Sequence, residues 1–182
     1  SYQEEMGKGL YHALALQPSQ NSSEDLMQEL SNSGNAKEAT LIVYQQGDLE
    51  TLTSQLINIE HSVFALQLRP SIRQVDDQFF TTYNRTDQAL WVQDILLALG
   101  KIGERLPQAN HNLVGINGGG IFAMLAAGFS KANRVVIDIE QLNTETDDAF
   151  VEKLPIPSIR RVGDFRTAGA LIAPRSLLIF NT

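Results

Sequence analysis

The chain has 182 residues, 43% hydrophobic and 19% charged, ordinary proportions for a globular protein with a core of its own. Its 14 Lys and Arg against 21 Asp and Glu give a net charge of −7, without the basic footprint that nucleic acid or an anionic membrane surface requires. With no cysteine there is no disulfide framework, thiolate zinc site or cysteine nucleophile, and no apolar run reaches the length of a membrane span.

One domain over 1–182 is expected, with 1–38 as a poorly defined N-terminal segment. In residues 1–16, Leu10, Leu14 and Leu16 fit a strand or a helix, and strand is preferred. Ser22 or Ser23 caps a short helix predicted over 24–31. The apolar run "ATLIVYQ" (39–45) reads as a buried strand. After the Gly47-Asp48 turn, Leu49, Leu52, Leu56 and Ile59 recur at helical spacing. A second strand covers 62–68 and closes at Arg69-Pro70. A loop with Phe79, Phe80 and Tyr83 leads to Thr86, an N-cap. The helix after it carries Ala89, Val92, Leu96, Leu99 and Ile102 on one face. The third strand is 111–116, followed by a buried helix over 118–129, and the fourth strand is 133–139. Residues 143–160 read as loop, broken by Pro155 and Pro157. Asp164 caps a helix running to Ala173, Pro174 stops it, and "SLLIF" (176–180) is the fifth strand.

Strands and helices alternate, and the strands are continuous apolar runs. That pattern predicts an α/β fold with a mainly parallel, doubly wound sheet in three layers. Such a sheet places ligands at the carboxyl ends of its strands. Those ends fall at 45–48, 69–71, 117–119, 140–143 and 181–182.

The third strand ends in Gly115-Ile116-Asn117-Gly118-Gly119, the spacing of G-x-S-x-G with Asn in place of Ser. Together with "FFTTYNRT" (79–86), "VQDILLAL" (92–99) and "GDFRTAGALIAPRSLLIFN" (163–181), this stretch resembles α/β-hydrolase-fold proteins. The resemblance is to the bacterial esterase-like group related to dienelactone hydrolases and acetyl xylan esterases, and it covers residues 39–182. It implies a truncated version of an eight-stranded sheet, with about five core strands in the order 2-1-3-4-5. Truncation would leave the edge strand 62–68 bare, so either coverage by 1–38 or homodimerisation through that edge is expected.

The resemblance assigns the nucleophile position to Asn117. A carboxamide is not made nucleophilic by a neighbouring base as a hydroxyl is. His12, His61 and His111 all precede the elbow, and no residue fills the family's base or acid position in this sequence. The oxyanion donors would be the backbone N–H of Gly118 and one from Gln45, Gln46 or Gly47. Three functions are compatible: a non-catalytic hydrolase-like domain, part of a larger or oligomeric carboxyl-ester hydrolase, and a small-anion binder using the elbow amides with Asn117, Gly118 and Gly119. Deamidation of Asn117-Gly118 would place an aspartate at the elbow. No cofactor or metal is expected. Glu140, Glu145, Asp147 and Asp148 match no calcium loop. Asp138 reads as a satisfied acid, and Arg160, Arg161 and Arg166 as partners of local acids. A cysteine-free chain suits the cytoplasm or the periplasm, and a start at Ser1 rather than Met is compatible with secretion after signal removal, so the compartment stays open.

Overall fold

The computed structural model describes residues 2–16, 27–47, 49, 61–70, 85–140, 142 and 146–181. Its elements are α1 (Tyr2–Ala13), β1 (Met27–Ser31), β2 (Glu38–Tyr44), β3 (His61–Gln67), α2 (Asp87–Arg105), β4 (Asn110–Gly115), α3 (Gly120–Ala127), β5 (Arg134–Asp138), α4 (Asp147–Lys153), a 3-10 turn (Ile159–Val162), α5 (Asp164–Ile172) and β6 (Ser176–Phe180).

The strands form one six-stranded sheet in the order β1-β3-β2-β4-β5-β6. β2 through β6 run parallel to one another, whereas β1 pairs antiparallel with β3. The five expected strands therefore stand in the expected order. The edge at β3 is covered from within the N-terminal segment, by 27–31.

That segment corrects two expectations. Residues 2–13 are helix, not strand: Leu10 and Leu14, one helical turn apart, are both fully buried. Residues 27–31 are strand, not helix, because pairing with β3 overrides a weak local pattern. A third correction is α4, which interrupts the expected loop over 143–160. The helix expected from the spacing of Leu49, Leu52, Leu56 and Ile59 lies outside the described residues apart from Leu49, and so do Phe79, Phe80 and Tyr83.

One face of the sheet is built by alternate side chains. Leu41, Val43, Phe64, Leu66, Leu113, Val135 and Ile137 share a core cluster with Val92, Ile95 and Ile102 of α2, Phe122 and Leu125 of α3, Ile172 of α5, Leu10 of α1, and Leu14 just after it. α3 is apolar all round and almost wholly buried, which suits a helix at the centre of that layer. Trp91 meets Phe122 edge to face at 4.9 Å and belongs to this core. Thr86 caps α2 as expected, its hydroxyl accepting from Ala89 N at 3.3 Å. The cap of α5 is Gly163, not Asp164, whose carboxylate instead accepts from Arg166 N.

Candidate functional site

The turn from β4 into α3 stands at the carboxyl end of the sheet. Asn117 takes a left-handed conformation, φ 46°, and Gly118 follows at φ 85°. Asn is among the few side-chain-bearing residues that enter this region readily. A Cβ on Gly120 would overlap the carbonyl oxygen of Asp138, so only glycine lets α3 begin this close to β5.

The strand-end residues expected to build a site do converge here. The N–H groups of Gln45 and Gln46 both donate to Asn117 O, at 2.9 and 3.2 Å. The Asn117 carboxamide lies against Gly47, where an added Cβ would come within 2.7 Å of Nδ2. The Gln45 side chain lies against Gly118. Gly119 N donates to Ile116 O at 2.8 Å. Asn117 and Gly118 are half-buried, while Gln46 and Gly47 are exposed.

The sequence reading missed the role of Glu140. The Gly118 N–H, the amide assigned to an oxyanion, donates to Glu140 Oε1. Glu140 is itself held: its own N–H donates to Asp138 Oδ1 at 2.9 Å, in a residue with φ 50°. Asp138 also accepts from Asn181 Nδ2 at 2.9 Å on both carboxylate oxygens. Asp138 is thus a satisfied acid, as expected, and it anchors the loop that delivers Glu140. The one advance signal was that residues 138, 140 and 181 all fall at strand ends.

No histidine approaches this turn. His61 and His111 lie at the amino ends of β3 and β4, in register with Glu38 and Ala39. His61 Nε2 is hydrogen bonded to Thr40 Oγ1 at 2.6 Å, and His111 Nε2 donates to Leu106 O at 3.0 Å. His12 lies in the last turn of α1, exposed, with its ring edge-on to Tyr11. Beside His61, Glu38 accepts from Asn112 and Asn110 at 2.8 and 3.1 Å. Burial alone would raise the Glu38 pKa. The two amide hydrogen bonds, with the charges of Arg134 and His61, outweigh it and hold the carboxyl below its ordinary value.

Among the other candidates, Arg160 pairs with Asp147 and covers the Phe150 ring at 4.8 Å. Arg69, at the end of β3, pairs with Asp94 of α2 at 3.0 Å. The described residues contain no acidic or histidine group arranged to hold a metal. No described helix is long and apolar enough to cross a membrane.

No family model matches the chain, and no curated protein matches its sequence. Many solved structures are similar to it, three of them as follows. One is a cold-adapted esterase from an Arctic intertidal metagenomic library, at 13% identity and TM-score 0.49, covering 90% of this chain and 87% of that one. Another is acetyl xylan esterase 1 from Thermoanaerobacterium sp., at 11% identity and TM-score 0.46, covering 97% and 77%. The third is the NocB thioesterase domain of the nocardicin cluster, at 15% identity and TM-score 0.39, covering 87% and 77%. At these values the likeness carries no inference about individual residues.

Proposed function

We propose that this chain is a non-catalytic α/β-hydrolase-like domain whose elbow is a closed joint between β4 and α3. The observation that carries the reading is the hydrogen bond from the Gly118 amide to Glu140 at the turn that also bears Asn117. The residue in the attacking position is a carboxamide, without an acidic hydroxyl for a base to remove. The amide that would stabilise an oxyanion is already donated to Glu140. An oxyanion donor contributes to catalysis only if it is free to meet the charge that develops in the transition state. The first and second groups an acyl transfer needs are therefore both withdrawn. Conversion of Asn117 to aspartate would not restore them, because the Gly118 amide stays with Glu140 and no histidine approaches the turn to activate a water.

The test is hydrolysis of p-nitrophenyl acetate by the purified chain. The expected rate is that of buffer plus a nonspecific protein. Turnover with ordinary enzymatic efficiency, retained through a second purification, would overturn the reading and favour the alternative, a part of a larger or oligomeric carboxyl-ester hydrolase.

A second reading, binding of a small anion at the elbow amides, has one observation behind it. The Gly118 amide does hold a carboxylate, although it is the chain's own. In this reading Glu140 swings away and an external carboxylate takes its place beside Asn117 and Gly118.

A further inference from the structure

We infer that Asn117 is a conditional deamidation site, held shut by the hydrogen bond from Gly118 to Glu140 and opened when that bond is lost. The inference shares the closed elbow with the reading above, but its test uses no substrate, so either can fail alone.

Asn117-Gly118 is the one Asn-Gly pair in the sequence. The chemistry needs no enzyme. The Gly118 nitrogen loses its proton to solvent base and attacks Cγ of Asn117, and ammonia leaves to give a five-membered succinimide. Water then opens the ring at either carbonyl, leaving aspartate or isoaspartate. Glycine favours the attack, because it has no side chain to hinder the approach of its nitrogen. In an unfolded chain this position should react first.

In the folded chain both polar atoms of the reacting peptide unit are occupied. Asn117 O accepts from Gln45 N and Gln46 N at 2.9 and 3.2 Å, and Gly118 N–H donates to Glu140 Oε1. Closing the ring swings the Gly118 nitrogen onto Cγ, which turns this peptide unit and breaks those bonds. It also removes a proton beside a carboxylate, whose charge disfavours the amide anion. The side chain is confined as well, since the carboxamide lies against Gly47. Gln45 and Gln46 follow β2 and Glu140 follows β5, so only the fold assembles the latch.

Glu140 is the part of the latch that can let go. The Asn117 carbonyl is held by backbone, whereas Glu140 is an exposed residue whose carboxylate leaves by side-chain rotation. The main product does not fit the closed turn. Isoaspartate routes the chain through Cβ and adds a backbone atom between β4 and α3. There is no slack to absorb it: a Cβ on Gly119 would overlap the carbonyl oxygen of Val43, and one on Gly120 that of Asp138. Deamidation is therefore a one-way loosening of the joint.

The test incubates folded wild type, folded Glu140→Ala and wild type unfolded in guanidinium chloride side by side in neutral buffer. Deamidation at Asn117 is read by peptide mass mapping. Unfolded chain should react fastest and folded wild type slowest. Glu140→Ala should react about tenfold faster than folded wild type, the order expected for losing one hydrogen bond to a charged acceptor. Hydrogen exchange separates this from general loosening: the Gly118 amide of the variant should exchange faster, while those of Leu113 and Leu125 stay protected. Glu140→Gln, which keeps an acceptor, should fall between the two and replaces the alanine variant if that one folds poorly. Folded wild type that deamidates as fast as the unfolded chain would overturn the inference. So would folded Glu140 variants whose Asn117 deamidates at the wild-type rate.

Discussion

The two ends of the central strands are furnished differently, and the histidines mark the difference. At the amino end, Glu38, Thr40, His61, Asn112 and Arg134 form a network of titratable and hydrogen-bonding side chains. At the carboxyl end stands the strained turn of Asn117 and Gly118, held by the carboxylates of Glu140 and Asp138 and approached by no histidine. A hydrolytic site needs its strained turn and its base together, within hydrogen-bond reach of one substrate atom. Here a whole strand length separates them. A histidine count therefore says little about chemistry until the register places each ring.

The largest way to break this comparison is at the carboxyl end. Gly120→Ala puts a methyl group into the Asp138 carbonyl and should cost at least about 3 kcal/mol, measured by urea unfolding, because backbone rather than a flexible side chain must yield. Next comes the amino end. Arg175→Ala removes a half-buried guanidinium that donates to five carbonyls around the C-termini of α3 and α5, and should cost about 3 kcal/mol. Arg175→Lys should recover only part of the loss, since an ammonium lacks the planar fork.

Smaller effects sharpen the contrast. Glu140→Ala leaves the Gly118 amide unoccupied. Acetate should then raise the melting temperature of the variant and leave that of the wild type unchanged, since only binding to the native state raises stability. An equal shift in both proteins would instead favour the anion-binding reading. The smallest effect belongs to Glu38. Its folded-state pKa lies below the ordinary 4.5, so its contribution is complete above the unfolded value and fades as the pH falls through the folded one. Glu38→Gln should therefore lose less stability than wild type between neutral and strongly acid buffer, read as the difference in melting temperature.

Much of this architecture was legible in the sequence because parallel strands buried on both faces are long apolar runs with few alternatives. The run at 39–45 is an example: β2 is buried at every position from Ala39 to Tyr44. The N-terminal segment was not legible. In α1, Gly7 and Gly9 lower helix propensity yet are needed where the helix meets Leu171 and Val162. "MQELS" has no strand pattern of its own and becomes β1 only by pairing with β3. At the candidate site, the turn around Asn117 was visible because its spacing is local. The Gly118 contact to Glu140 was not, because it joins residues 22 apart, just beyond the ends of two different strands, and leaves no periodic trace.

The most direct test of the closed elbow is the intact mass of the wild-type chain after exposure to excess fluorophosphonate, a reagent that adds to activated hydroxyls. The mass should stay unchanged. A stoichiometric adduct on any residue would contradict it, by showing a nucleophile and an oxyanion pocket at work together.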